Sequence, residues 1–495
     1  MDTKNPIIFE NFTAFLPGIS AAVTFKDSRD IFAIPSTTKP KGIDVKGATK
    51  NRGVVEWGKN NDFPKQIIDK VAKSPDLSSG LLFNINVGYG DGLMPCYVTY
   101  NDNGKKIVKP YALLGTEIKK KLAETEQDEK EQIAKLTEDY QTWERTNNEL
   151  NQFIEDNNIP QFLLEQITDI NYFYNVFPGI ILNQENSDQR KVVELYHLEA
   201  AFSRLESMNP KTGQVEKLFY QADWSKTPND DITTVIDVLS SKRTTFDLEE
   251  RIGRKINPKT GKKKDDKVYS YVIPVSIPTP GKVYYQKPYW YSIIESGWYD
   301  FAVAIPEFKK ALIENGMTIK YHIELAEDYF DILFAREGII DAKKQKERVK
   351  KEFTDIQNFL TGQKNAGKTM ISYTKTSSDG KPLPTIEIKA VKNEFKGGEY
   401  LEDSSDASSM IAYSLGNHAS LVGSAPARKG SNMSGSDKRE LFIIKQALLK
   451  PLRDILLKPF YVIKKINKWD KNLQFTIPNI VLTTLDQGTG SKEIS

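Results

Sequence analysis

Apolar positions recur every three to four residues in some stretches of this chain and every second residue in others. The switches between the two periods divide it into elements. The first helical stretch lies within "GVVEWGKNNDFPKQIIDKVAKSP". Ile67, Ile68 and Val71 supply its stripe, and Pro64 suits a first turn, where no amide donor is needed. A second helix is predicted over residues 75–87, then a tight turn at "GYGDGL" into the strand "LMPCYVTY". Residues 116–158 give a long helix or helix pair, with Ile133, Leu136, Tyr140, Trp143 and Leu150 on one stripe and charges of both signs elsewhere. A further helix covers residues 159–174. Residues 176–285 change character: "FPGIIL", "KVVELYHLEAAFSRLE", "QVEKLFYQADW" and "VYSYVIPVSI" are β-branched and aromatic, with turns at "NPKTGQ" and "TPG", and read as strands and hairpins.

Helical spacing returns over residues 290–315, with Gly316 as the closing residue and "MTIKYHIEL" as a following strand. A strong helix is predicted over 341–361. Asp341 is its N-cap, and Val349, Phe353, Ile356 and Leu360 form its stripe. Lys343, Lys344, Lys346, Arg348, Lys350 and Lys351 crowd its first half. Two strands joined at "SSDGKP" follow, then a helix starting near Asp403, a glycine- and serine-rich loop over 417–435, and a long helix over 436–457 that Pro451 should kink. "LQFTIPNIVLTTLD" closes the chain as a strand with a polar tail. Residues 1–50 carry no clear period and read as an extended arm that orders on a partner. The fold class is α+β.

Composition narrows the function. The chain has 495 residues, 39% of them hydrophobic and 27% charged, with a formal net charge of +3. That supports sizeable cores and speaks against a dedicated nucleic-acid binder, which would be strongly basic. One cysteine, Cys96, allows no internal disulfide and reads as a small packed residue. The N-terminus is not a secretory signal, and no stretch approaches the ~18 apolar residues of a membrane span. The expectation is a soluble protein inside a cell, or part of a particle assembled there, with no membrane partner. His197, His322 and His418 stand far apart without a cysteine cluster, and no nucleophile signature accompanies them. No catalytic residue, metal or cofactor is expected. The turn-rich tip at 253–267, "GRKINPKTGKKKDDK", reads as an exposed lysine loop or as a phosphate contact.

One motif argues for an enzyme. Gly362–Thr369, "GQKNAGKT", satisfies the phosphate-loop pattern G-x-x-x-x-G-K-[ST]. A working phosphate loop follows a strand and opens a helix, so that backbone amides and the helix N-terminus converge on the phosphates. Here the strong helix precedes Gly362 and an alternating, β-branched run follows Thr369. A strand ending in a magnesium-binding aspartate is also missing downstream. In that order Gly362 caps a helix and Gly367 turns into a strand.

The order of elements resembles the portal proteins, or head-to-tail connectors, of tailed bacteriophages. The phrases that carry the resemblance span residues 50–485: "VVEWGKNNDFPKQIIDKVAKSP", "VGYGDGL", "ENG" at 314–316, "GQKNAGK", "SLGNHASLVGSAPARKGSNMSGSDKRELF" and "FTIPNIVLTTLD". The resemblance implies an elongated, ring-forming subunit with a β-rich wing, long stem helices, a small α/β clip and a long kinked helix. By order, residues 1–50 would be an extended N-terminal arm, 51–320 the wing, and 321–361 a wing-to-stem strand and the first stem helix. Residues 362–397 would be the clip, 398–416 the second stem helix, 417–435 the tunnel loop and 436–457 the channel-lining helix. Residues 458–495 would be the closing wing strand and tail, with a crown short or absent.

The implied function is a ring of about twelve copies at one capsid vertex. Double-stranded DNA would be packaged, retained and ejected through it without regard to sequence. The implied partners are the chain itself, the major capsid protein, the terminase large subunit and then the head-tail adaptor and tail, and the implied location is the virion. Arg428, Lys429 and Asn432 in the tunnel loop would brush DNA phosphates, or simply be solvated. Lys364, Lys368 and Lys381 would lie on the clip's docking surface. The alternatives are a nucleotide-dependent packaging or remodelling enzyme using Gly362–Thr369, and another ring component of a phage tail.

Overall fold

A computed structural model describes residues 53–314 except 127–128, 227, 229–230, 257–260, 262 and 266. It also describes 321–361 except 326–327, then 400–418, 421 and 435–481, and strand segments at 7–9, 13–16, 21–24, 374–376, 382–384 and 386–390. The chain is mixed α+β and divides into two units. One joins Met1–Ala302 to Ser405–Ser495, and the other is Val303–Ser404. The second is therefore an insertion within the first.

In the first unit, α1 (Phe63–Lys73) and α2 (Pro75–Tyr89) meet at Ser74, whose Oγ accepts from the Leu77 amide at 3.3 Å. Pro64 lies in the first turn of α1, as its residue type requires. Pro64, Ile67 and Val71 are buried, but Ile68 is 42% exposed and drops off the predicted stripe. It sits about 100° round the helix from Ile67. Past α2, Gly90 and Gly92 take φ of 56° and 80° and turn the chain into strand Met94–Tyr100. That strand is the centre of a three-stranded sheet, between Lys106–Pro110 and the closing strand Gln474–Thr476. The predicted long helix is a pair, α3 (Ala112–Glu124) and α4 (Lys130–Asp156). The Trp143 ring lies over Gly115, where a Cβ would fall 2.4 Å from it, and its Nε1 donates to the Tyr111 carbonyl at 3.1 Å. Next, α5 (Ile159–Phe173) buries Phe162, Leu163, Ile167 and Ile170 at the centre of the main core.

The expected run of strands forms a seven-stranded sheet in the order 275–276, 175–182, 270–272, 234–238, 217–220, 203–205, with 192–198 also paired to 175–182. The all-strand reading of residues 176–285 needs one correction, the helix α6 (Thr244–Arg251). Arg251 bonds Asp247 one turn back at 3.1 Å and the Val238 carbonyl at 3.0 Å, and buried Leu248 anchors the helix. The β-rich flanks hid this single ion-paired stretch. A second correction concerns residues 290–315. Gly297, at φ 83°, splits the predicted helix into α7 (Ser292–Glu295) and α8 (Trp298–Glu314). Gly316 lies outside the described residues. Within residues 1–50, Ile7–Phe9, Thr13–Leu16 and Ala21–Thr24 pair as an antiparallel meander.

In the second unit, strand Tyr321–Leu325 pairs antiparallel with Ile386–Ala390, and Thr374–Thr376 with Pro382–Pro384. The sequence reading missed α9 (Tyr329–Glu337), closed by left-handed Gly338 ahead of α10 (Ala342–Thr361). Asp341 caps α10 as predicted, its Oδ1 accepting from the Lys343 and Lys344 amides at 2.7 and 3.1 Å. α11 (Leu401–Ser414) carries the chain back into the first unit. The predicted kinked helix is two helices, α12 (Gly435–Leu448) and α13 (Lys450–Leu456), and a further helix, α14 (Lys458–Ile466), follows in the stretch read as closing strand and tail. Pro451 and Pro459 each start a new helix, where they cost no hydrogen bond, instead of bending an old one. α14 brings Phe460, Val462, Ile463 and Ile466 into the main core.

Candidate functional site

The glycine- and serine-rich segment between α11 and α12 is the region the sequence singles out for function, and the structure describes its base. α11 ends in a left-handed glycine cap. Gly416 has φ 63°, its amide bonds the Tyr413 carbonyl at 2.9 Å, and the Asn417 amide bonds the Ala412 carbonyl at 2.9 Å. Two crossed amides clasp this end to α2: Asn84 Nδ2 donates to the Leu415 carbonyl at 3.1 Å, and Asn417 Nδ2 to the Gly80 carbonyl at 3.0 Å. The clasp is close because Gly80 has no side chain; a Cβ there would sit 2.3 Å from Leu415 Cδ1. From α12, buried Lys445 donates Nζ to the Gly416 carbonyl at 3.1 Å and the Leu415 carbonyl at 3.4 Å. A cation suits the negative end of a helix, yet burial holds the Lys445 amine down to about 8. Three elements thus fix where the segment leaves the body.

Two further constellations explain phrases that stood out in the sequence. In "EWGKNN", Trp57 stacks on Tyr285 with ring centroids 4.3 Å apart, and Asn61 adopts a left-handed φ of 58°. Both serve Arg204, which is 2% exposed between Trp57 and Trp224, its guanidinium carbon 5.5 and 5.0 Å from the two rings. Arg204 Nε donates to Asn61 Oδ1 at 2.5 Å and an Nη to the Asn61 carbonyl at 2.9 Å, while the other Nη reaches the Ala201 and Ser203 carbonyls at 3.0 and 2.9 Å. Burial draws its pKa down to about 10. In "VGYGDGL", Arg453 of α13 ties the end of α2 to the closing segment. Its guanidinium donates to the Gly88 and Val87 carbonyls at 3.1 and 2.6 Å, and to Asn479 Oδ1 at 2.5 Å. Neither arginine was singled out from sequence, which shows a basic residue but not its burial.

In the second unit, α9 covers one face of α10. Phe330 meets Phe353 at 5.8 Å, and Arg348 pairs with Glu337 at 2.8 Å and Glu352 at 2.6 Å. Those bonds, to Glu337 first, hold the Arg348 pKa up and help hold both carboxylates down. Lys343, Lys344, Lys346, Lys350 and Lys351 occupy the other side and are exposed. The phosphate-loop pattern begins directly after the last residue of α10, and the next described element is strand Thr374–Thr376. The helix therefore precedes the motif, the reverse of what phosphate binding needs.

Lys364, Lys368 and Lys381, and Arg428, Lys429 and Asn432, lie outside the described residues. His197 sits 3.1 Å from Asp169, whose same oxygen accepts from the Ala200 amide at 2.7 Å, so the pair joins α5 to the sheet. Among the described residues no group of three or more His, Cys, Asp or Glu could hold a metal ion, and no helix is long and apolar enough to cross a membrane.

No family model matches the chain, and no curated protein matches it. Among solved structures it is similar to the neck of an empty gene transfer agent particle computed with C6 symmetry (13% identity, 88% of this chain and 86% of that one, TM-score 0.49). It is also similar to the virion of the native gene transfer agent particle (12%, 86% and 85%, 0.48) and to the native particle's neck computed with C12 symmetry (13%, 88% and 87%, 0.49). The overlap is extensive in length and low in identity.

Proposed function

We propose that this chain is the subunit of a portal ring, a head-to-tail connector through which double-stranded DNA enters and leaves a phage-like capsid. The observation that carries the reading is the succession of elements around the insertion. A body gives way to α10, a strand pair, α11, the glycine-rich segment and the broken helix α12–α14, and the chain then closes on its own first sheet through Gln474–Thr476. In this reading Val303–Ser404 holds the first stem helix and the clip, and α11 is the second stem helix. Residues 417–435 are the tunnel loop, with Arg428, Lys429 and Asn432 toward DNA. The clip lysines Lys364, Lys368 and Lys381 face the terminase and later the adaptor. A conduit needs contacts that ignore sequence, because binding individual bases would stall translocation. A closed ring further needs two different, complementary faces on each subunit.

The reading assigns no catalysis to Gly362–Thr369. Purified wild-type protein and Lys368→Ala, assayed for ATP binding and hydrolysis, test this directly. Activity in the wild type that the substitution removes would establish the enzyme instead. The ring itself is tested by electron microscopy of the purified chain.

A further inference from the structure

At the C-terminal end of α14 several cations converge on backbone carbonyls. Arg254 donates Nε to the Ser187 carbonyl at 2.8 Å, and its two Nη atoms reach the Ile466 carbonyl at 2.7 Å and the Arg190 carbonyl at 2.6 Å. Lys468 Nζ donates to the Asp188 carbonyl at 3.0 Å, and Arg145 to the Lys468 carbonyl at 3.3 Å. These bonds orient the cations without neutralising them. The nearby carboxylates are largely engaged elsewhere: Glu149 takes Lys191 at 2.8 Å and Trp469 at 3.1 Å, buried Asp470 takes the Tyr111 hydroxyl at 2.9 Å, and Glu249 takes Lys255 at 2.5 Å. Burial lowers the Arg254 pKa, against Glu249 and Asp188, and the Arg190 charge adds to the lowering. Four exposed basic side chains, Arg145, Lys465, Lys468 and Lys471, and half-buried Arg254 therefore share this corner, and among the described residues of these segments the exposed carboxylates are Glu144, Glu185 and Asp188.

We propose that this corner, made by residues 464–471, the 185–191 turn and the base of the 252–265 hairpin, binds the phosphate backbone of a nucleic-acid duplex. It is a contact separate from residues 417–435, and it does not depend on the ring reading. A protein partner fits the corner poorly. Protein interfaces are built on apolar and aromatic anchors and are depleted in lysine, whereas here Ile466, Trp469 and Leu473 are buried, a single exposed apolar side chain, Ile256, lies among the described residues of the corner, and Arg145, Lys465, Lys468 and Lys471 are exposed. A single strand fits poorly too, because base stacking needs exposed rings; Trp469 is buried and Tyr269 half-buried beneath Arg190. Arg254 on one hairpin strand and Lys263 on the other extend the basic surface away from α14.

The test is fluorescence anisotropy of a short labelled duplex of arbitrary sequence against the full chain, titrated over a range of salt. Lys465→Glu/Lys468→Glu/Lys471→Glu should weaken binding about tenfold or more at low salt, and should make the salt slope shallower by about 3, one unit for each lost phosphate contact. The Gln triple variant should shift both in the same direction, and it keeps the test valid if the Glu variant misfolds. Unchanged affinity and slope in a folded variant would overturn the proposal. So would tight binding of polyglutamate by a wild type that ignores the duplex, or a loss seen only when Lys343, Lys346 and Lys350 of α10 are reversed. None of these outcomes bears on whether the chain forms rings.

Discussion

Replacing Arg204 with Met keeps the length and the apolar stem of the side chain and removes its charge and donors. Three backbone carbonyls, those of Asn61, Ala201 and Ser203, then lose their donor in a site where Arg204 itself was 2% exposed. At about 1–2 kcal/mol for each orphaned buried acceptor, the loss is about 3–6 kcal/mol. The two ring contacts, at 5.5 and 5.0 Å, add about 1–2 kcal/mol each when desolvated. Against this stands the relief of a buried charge. Burial lowers the guanidinium from 12.5 to about 10, so about 3 kcal/mol is recovered. The net is a destabilisation of about 2–7 kcal/mol. Urea unfolding followed by tryptophan fluorescence reads it well, because Trp57 and Trp224 flank the site. Arg204→Lys should fall between Met and wild type, since an ammonium cannot span four acceptors in one plane. A Met variant as stable as wild type would refute the reasoning, and with it the claim that "EWGKNN" is constrained by a buried arginine.

Gly115→Val places a branched side chain where even a Cβ would lie 2.4 Å from the rigid Trp143 ring; it should cost about 2–3 kcal/mol and separate α3 from α4, read as faster hydrogen exchange in residues 112–124. Burial lowers Lys445 from 10.5 to about 8; between those values the unfolded chain binds the extra proton, so stability should rise with pH by up to about 3 kcal/mol across that window. Lys445→Met should remove that part of the rise, measured as the difference between variant and wild-type urea midpoints at pH 8 and 10. Asn417→Ala opens the clasp on α2 and should raise hydrogen exchange at residues 412–418 while leaving strand Met94–Tyr100 unchanged. Arg348→Ala should loosen α9 from α10 by about 1–3 kcal/mol, because two carboxylates lose a shared partner and only Tyr329 remains bonded to Glu352 at 2.6 Å.

Where the apolar period was long and clean, the sequence disclosed the element. α5 and α10 fall within a few residues of their predicted ends, α4 does so at its C-terminal end, and Asp341 caps α10 as its residue type suggests. Short helices were hidden. α6 and α9 span only two or three turns, too few for a period to declare itself beside β-rich neighbours. α14 had a legible signal that went unread: "LLKPL" at 448–452 recurs as "LLKPF" at 456–460, and the second Lys-Pro starts a helix just as the first does. The anchors of the candidate site were not legible. Asn84, Asn417 and Lys445 lie far apart in sequence, and nothing in their spacing shows that a buried ammonium joins two crossed amides at one helix end.

The central claim, that copies of this chain close into a ring through which DNA passes, is tested most directly by electron microscopy of the purified full-length protein. The account predicts closed rings of uniform subunit number with an open central channel. Persistent monomers with capsid partners also present, or open filaments in place of closed rings, would contradict it.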